Sequence, residues 1–318
     1  MNIPSFHKTY LDYLNQHPFS GNPSTLYAPM NYILSLGGKR IRPILALIGN
    51  EIASGNINHG LEIAHAVEVF HNFSLIHDDI MDNADVRRGN PTVHVKWDMA
   101  TAILSGDNML VKVFHILSKY NGPEKDRILS NFIQVSTEVC EGQQSDMDFS
   151  SNAVLPTELA YLEMIRKKTA VLLGCSLQCG FLSGNGSIED SQLFYDYAIN
   201  LGLSFQLKDD FIDSFVDAEI SGKKQGGDIL EGKKTWLYLK SLEINDEETK
   251  RLFQLPNSDE KIKAILLLWK SLKLDQLMEE KIALYDQKAN EILHKINEKG
   301  YSTLLLSELS SVLTERKN

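Results

Sequence analysis

Apolar residues recur three and four positions apart in segment after segment of this chain, the spacing that aligns one face of a helix. From Leu61 to Met81 the pattern is fuller. Ile63, Val67, Phe70 and Ser74 fall on one face and Ala66, Val69, Phe73, Ile76 and Ile80 on another, so this helix is apolar on nearly all sides and belongs at the centre of a bundle. Runs alternating apolar with polar residues are missing, and the predicted class is all-α. Turn chemistry places the helix breaks at Gly37-Gly38, Gly55-Asn56, Gly89-Asn90-Pro91, Asn121-Gly122-Pro123, Pro156, Gly184-Asn185-Gly186, Gly226-Gly227 and Pro256-Asn257, which predicts about ten or more helices. No Pro/Gly/Ser-rich linker or internal repeat divides the chain, so residues 1–318 are expected to form a single domain.

Composition narrows the class of function. The chain has 318 residues with 32 Lys+Arg against 42 Asp+Glu, a formal net charge of −10, the opposite of a nucleic-acid-coating or anionic-membrane protein. At 43% hydrophobic and 23% charged it is supplied for an ordinary globular core, and disordered, collagen-like and coiled-coil classes drop out. Cys140, Cys175 and Cys179 are too sparse for a disulfide framework and lack zinc-ligand spacing; Cys175 and Cys179, four apart, are expected in the core. The longest apolar stretch, Ala170 to Leu182, is shorter than the roughly 20 residues that a bilayer-spanning helix needs, and the first residues resemble no targeting peptide. The expectation is a cytoplasmic protein without stable membrane insertion and without nucleic-acid binding.

Against this apolar background two acidic clusters stand out. The central helix ends in HDDIMD, which puts Asp78 and Asp82 on one face with Asp79 beside them, and the apolar LGLSFQLKDDFIDSF carries Asp209, Asp210 and Asp213 with the same offsets. Gln206 shares the face of Asp209 and Asp213, and His71 lies about 20° off the line of Asp78. One such cluster is compatible with a solvated acidic helix end. Two of identical spacing, both on apolar helices, suggest a cation. Carboxylates 4 Å apart repel by about 4 kcal/mol at an effective dielectric of 20. Mg²⁺ takes one or two carboxylates and completes its octahedron with water and phosphate oxygens.

Basic residues are scarce but grouped beside glycine turns or hydroxyls: Gly37-Gly38-Lys39-Arg40-Ile41-Arg42-Pro43, Arg87-Arg88-Gly89, Lys167-Lys168-Thr169, Lys223-Lys224 and Lys233-Lys234-Thr235. Each alone reads as a surface patch; together they suit two anionic groups, arginine closing bidentately on phosphate and lysine acting as a point charge. The run from Gly227 to Lys234 approaches a Walker A loop, but Lys234 occupies the Ser/Thr position and no strand precedes it. GxGxxG, GxSxG and HExxH are absent. The chemistry indicated is that of metal and phosphate without a nucleotide fold.

Seven ordered segments resemble the trans-isoprenyl diphosphate synthase (polyprenyl synthetase) family. Gly37 to Pro43 matches GGKRxRP, Asp78 to Asp82 matches DDxxD, Arg87 to Thr92 matches RRGxPT and Gly142 to Asp146 matches GQxxD. Lys168 to Ala170 matches KTA, Phe205 to Asp213 matches FQxxDDxxD, and Gly222 to Thr235 matches the GKxxGxD…GKKT tail. The resemblance implies an isoprenoid synthase helical bundle, a homodimer, with the aspartate motifs facing across a deep central cleft. It also implies three Mg²⁺ ions per site. Asp78, Asp82 and Asp209 would hold them on an allylic diphosphate, with Asp213 and Asp79 in support, and Arg87, Lys168, Lys223 and Lys233 would contact the same diphosphate. Isopentenyl diphosphate would be held by Lys39, Arg42, His71 and Arg88.

The implied reaction condenses isopentenyl diphosphate with dimethylallyl, geranyl or farnesyl diphosphate to a short-chain trans-polyprenyl diphosphate. Stabilising departing pyrophosphate leaves an allylic cation, which dipoles near Thr169 and Gln206 stabilise while dry apolar walls exclude water. The isopentenyl double bond then attacks; no side-chain base is evident, so pyrophosphate is the expected proton acceptor. A tail growing from Asp78 back along its helix meets Phe73, about 7.5 Å away along the axis, with Ser74 beside it and Phe70 beyond. An aromatic at that position and the lack of a two-residue insertion in the first motif favour geranylgeranyl diphosphate, then farnesyl diphosphate. The alternatives are a class I terpene cyclase, which lacks the second DDxxD and the GGKRxRP segment, and a non-catalytic subunit of a heteromeric prenyltransferase, which would lose one aspartate motif. This chain carries all three features.

Overall fold

Helix after helix starts on a side chain able to take up a backbone N–H that the first turn leaves unpaired. Asn2 and Ser5 form a reciprocal capping box, Asp98 accepts from Thr101 N, Thr157 from Ala160 N, Asn245 from Glu248 N and Ser258 from Lys261 N. The computed structural model describes residues 2–151, 155–217 and 225–314. In chain order its helices are α1 (Ile3–Gln16), α2 (Ser24–Ser35), α3 (Ile41–Ile52), α4 (Ile57–Met81), α5 (Val93–Lys96), α6 (Met99–Lys119), α7 (Lys125–Ser150) and α8 (Glu158–Ile165). A π-helical turn, Arg166–Ala170, leads into α9 (Val171–Ser183) and α10 (Ile188–Phe215). Then come α11 (Gly227–Glu231), α12 (Trp236–Ile244), α13 (Asp246–Phe253), α14 (Asp259–Ser271), α15 (Leu274–Glu298) and α16 (Leu304–Thr314).

The all-α reading holds, and every break expected from glycine and proline is a break. Further breaks carry the count beyond ten because they lack that signal: Asn245 closes α12 and caps α13, and Lys273 turns the chain between α14 and α15 with φ 57°. Among the described residues the exception to helix is a two-residue antiparallel ladder, Val86–Arg87 (β1) with Asn90–Pro91 (β2). Its turn residues Arg88 and Gly89 both have positive φ, 52° and 74°, as a tight hairpin turn requires.

The described residues group into two compact units. The first contains the chain up to Gln134 with Cys175–Tyr195 and Gly300–Leu305. Its core is built on α4, which packs against α3 and α6 and buries residues on all sides, among them Ile63, Val67, Phe70 and Ile76. Each such side chain taken out of water contributes roughly 1.5–3 kcal/mol before conformational entropy is counted. Cys175 and Cys179 are buried here, as their spacing predicted. The second unit takes Val135–Gly174, Asp196–Lys299 and the segment from Leu306. Its core gathers Leu207, Trp236, Leu237, Ile265, Trp269 and Met278 around one face of α10. Among the described residues no helix is long and apolar enough to cross a membrane.

Candidate active site

In the second unit a cavity of about 310 Å³ collects residues from four of the seven sequence motifs. Helix α7 supplies Asp146, the π turn supplies Lys168 and Thr169, and α10 supplies Gln206, Asp209, Asp210 and Asp213. Asp228 on α11 and Lys233, Lys234 and Thr235 beyond it close the ring. Two glycines make this convergence possible. A methyl group at Gly142 would lie 2.4 Å from Lys168 N, and one at Gly202 2.7 Å from the Ala170 side chain. The π turn is therefore gripped between the backbones of α7 and α10. One helical turn beyond Gly142, Asp146 reaches Lys168 Nζ at 2.5 Å.

The polar groups of the cavity form an ordered set. Thr169 Oγ1 donates to Gln206 Oε1 at 3.3 Å, Gln206 Nε2 donates to Asp210 Oδ1 at 3.2 Å, and the Tyr161 hydroxyl donates to the other Asp210 oxygen. Asp228 donates its backbone N–H to Asp213 Oδ2 at 3.1 Å and accepts from Lys233 Nζ at 3.0 Å. Burial, with the nearby Asp228 charge, pushes the Asp213 carboxyl up to about 6 and drives Asp210 upward as well. Burial would lower the Lys233 ammonium, but Asp228 and Glu231 outweigh it and hold it above the usual lysine range. Six carboxylates line the cavity against three lysines, so an anionic ligand needs added positive charge to enter.

The first unit holds a basic patch of opposite character. Arg40, in the left-handed region with φ 51°, turns inward to pair with buried Glu68 and donates to Leu34 O. Arg42 NH1 donates to His71 Nε2 at 3.2 Å, which leaves the imidazole proton on Nδ1. Burial and the surrounding guanidiniums of Arg42, Arg88, Arg87 and Arg40 hold His71 well below the usual histidine range, and it is neutral at pH 7. Burial, with the Arg88 charge, lowers Arg42 to about 10 despite Glu68. The hairpin splits its two arginines: Arg87 grips buried Asp79 through Nε and NH2, each 2.7 Å from Oδ1, while Arg88 donates to Gly37 O. Arg40 and Arg87 are neutralised by carboxylates, whereas among the described residues Arg42 and Arg88 face none at ion-pair distance, so the patch keeps a surplus positive charge. Lys39 is exposed at the head of this patch.

The first aspartate ladder straddles the end of α4. Asp78 is half-buried, Asp79 only 1% exposed, and Asp82 caps the helix, its N–H bonding to Asp78 O at 2.8 Å. Earlier on the helix Phe73, 7% exposed, lies between Phe70, tilted to it at 5.4 Å, and His77, edge-on at 4.9 Å, while Ser74 Oγ donates to His71 O. Lys223 lies outside the described residues.

Known proteins resemble this chain in both sequence and fold. A sequence model described as Polyprenyl synthetase matches residues 23–267. The chain belongs to the polyprenyl synthetase family. It is 43% identical over 224 residues to a geranylgeranyl diphosphate synthase of Methanosarcina mazei, covering 70% of this chain and 68% of the relative. A short chain isoprenyl diphosphate synthase of Methanocaldococcus jannaschii is 39% identical over 269 residues, covering 83% and 79%. The crystal structure of a geranylgeranyl pyrophosphate synthase superposes with a TM-score of 0.93 at 40% identity, covering 100% of this chain and 99% of that one.

For a polyprenyl synthetase the sequence reading omitted residues that the structure makes prominent. Glu68 neutralises Arg40, Asp228 ties Asp213 to Lys233, and Tyr161 anchors Asp210. Glu68 carries a legible signal, a charge set among apolar residues in the middle of α4; Tyr161 carries none, because an aromatic at helical spacing reads as core. Among the described residues no three His, Cys, Asp or Glu converge as a ready-made metal cage. The donor set still fits Mg²⁺. It is all oxygen, in carboxylate surplus, and Mg²⁺ takes one or two carboxylates with phosphate and water making up its octahedron.

Proposed function

We propose that this chain joins isopentenyl diphosphate to an allylic diphosphate, releasing pyrophosphate and giving a short-chain trans-prenyl diphosphate, geranylgeranyl diphosphate first and farnesyl diphosphate next. The observation that carries the reading is that four separated family motifs line one cavity of about 310 Å³. In this reading Asp78, Asp82, Asp209 and Asp213, supported by Asp79, hold three Mg²⁺ ions, which supply the charge that lets a carboxylate-rich site accept and ionise a diphosphate. Lys168, Lys233 and Arg87 exchange their carboxylate partners for oxygens of the allylic diphosphate, which Lys223 also contacts. Arg42, Arg88, Lys39 and His71 hold isopentenyl diphosphate, and the surplus charge of their patch supports this assignment.

As the allylic C–O bond breaks, electron density moves to the leaving diphosphate, and lysine and arginine charge stabilises it there. Gln206 Oε1 and Thr169 Oγ1 present oxygen lone pairs to the cationic carbon, while Met164, Ile165 and Phe149 keep that side of the cavity apolar. The isopentenyl double bond forms the new C–C bond, and the proton lost from the neighbouring carbon passes to pyrophosphate. The outward face of α6, with Ile103, Leu104 and Val111 exposed, supports a homodimer.

The test is incubation of purified protein with Mg²⁺, isopentenyl diphosphate and each allylic diphosphate, followed by product sizing. A longer prenyl diphosphate, lost with EDTA and in Asp78→Ala, is the expected result. A cyclic hydrocarbon would make the chain a cyclase, no product with any substrate would overturn the catalytic reading, and a monomer by sedimentation equilibrium would remove the dimer.

A further inference from the structure

The task assigned above to Gln206, presenting oxygen to an electron-poor carbon, depends on which way round its amide lies. A primary amide packs almost equally well in either orientation, because its oxygen and nitrogen differ little in size and are told apart by hydrogen bonding. Turned over, Gln206 would direct an NH₂ group with partial positive charge toward the same place. What decides the orientation is Asp210. Both of its oxygens accept, Oδ1 from the Gln206 nitrogen at 3.2 Å and the other from the Tyr161 hydroxyl, so the Gln206 carbonyl oxygen is left toward Thr169.

Asp210 is itself poised to rotate, since the terminal torsion of aspartate is broad. The Tyr161 hydroxyl removes that freedom by occupying the second oxygen. Tyr161 is 2% exposed, and its ring packs in the second unit's core with Met164, Ile165 and Leu207. A phenylalanine would fill that space equally well, so the hydroxyl does not serve packing. It sits four residues before Ile165, the residue that leads into the π turn carrying Lys168 and Thr169, so one short segment holds both ends of the chain Tyr161, Asp210, Gln206, Thr169.

We infer that Tyr161 is a positioning residue: its hydroxyl clamps Asp210 so that Gln206 keeps its carbonyl oxygen toward the reacting carbon. Asp210 thereby spends both oxygens inside the protein as an anchor. The inference rests on the prenyltransferase reading of the cavity.

The experiment is a double-mutant cycle between Tyr161→Phe and Gln206→Leu, with kcat and both KM values measured and folded protein quantified by circular dichroism. Tyr161→Phe should lower kcat roughly 10- to 100-fold, the scale of a misplaced group, and leave each KM within about twofold. In the Gln206→Leu background the same change should cost no more than about twofold, because the group it positions is gone. An activity-independent measurement uses selective ¹⁵N-glutamine labelling, with the Gln206 side-chain resonances assigned by their loss in Gln206→Leu. Amide exchange with water should speed up at least about tenfold in Tyr161→Phe. Equal losses of kcat in both backgrounds, an unchanged kcat in Tyr161→Phe, or unchanged amide exchange would each overturn the inference while leaving the enzyme reading intact. A wild-type protein that makes no prenyl diphosphate would remove that reading and this inference with it.

Discussion

Replacing Gly142 by alanine separates what the π turn does for stability from what it does for turnover. The new methyl would lie 2.4 Å from Lys168 N and 2.8 Å from Lys167 C, both backbone atoms that cannot rotate aside. Ordinary contact begins near 3.4 Å, so α7 and the turn must part by about 1 Å. Two energies oppose each other. Overpacking costs about 1–3 kcal/mol, while alanine in a helix interior regains about 1 kcal/mol over glycine. The net loss is about 0–2 kcal/mol, a shift of at most a few degrees in the melting temperature of a protein of this size. The same displacement is far more damaging to chemistry, because Lys168 and Thr169 move with the turn and a shift of about 1 Å can cost on the order of 100-fold in rate. Gly300→Ala is the reciprocal control. Gly300 has φ 88° with no atom within 4 Å of the added methyl, so it should lose about 1–2 kcal/mol to backbone strain and keep its kcat. Steady-state kinetics and thermal melts on both variants make the comparison. If Gly142→Ala kept kcat within about threefold of wild type, the account of the turn as gripped and rate-determining in its placement would be wrong.

Phe73→Ala should lengthen the product by one or more isoprene units, read by mass spectrometry of the extracted diphosphates. Truncating a buried Phe costs about 3–5 kcal/mol, so the assay belongs well below the variant's melting temperature. An unchanged product distribution would remove Phe73 as the stop for the growing tail. His65 predicts the acid limb of the stability curve. Burial, with the nearby His17 charge, lowers its pKa to about 4 from the usual value of 6.5, so between those pH values the unfolded chain binds a proton that the folded chain does not. Stability should therefore fall as pH drops from about 7 to about 4, by about 3 kcal/mol from this group. Denaturant titrations at several pH values check the sign, and His65→Phe should flatten that slope; an identical slope in the variant would show that His65 does not carry it.

Much of the machinery was legible because it consists of residues that are costly to bury. A polyprotic ladder on an apolar helix, as at Asp78 and Asp79 or Asp209, Asp210 and Asp213, contradicts the hydrophobic pattern and needs a cation or a partner to explain it. Glu68 presents the same contradiction, but a single acid has no spacing to name its partner, and only the fold brings Arg40 to it. GGKRIRP illustrates the limit within one motif. Arg40 and Arg42 are two residues apart and chemically identical, yet Arg40 spends its charge on Glu68 while Arg42 remains available beside His71. Only the left-handed backbone at Arg40 and the position of α4 separate them.

Periodicity, turn residues and motif spacing by themselves determined the helical class, the buried central helix, the metal-and-phosphate chemistry and the family, because each depends on local geometry or on residue type in order along the chain. The tertiary structure alone decided that Gly142 and Gly202 grip the π turn, that Asp228 stands against Asp213, and that Tyr161 faces Asp210. Those relations join residues on different helices. Their energies depend on distance and burial, and neither quantity is written in the order of the amino acids.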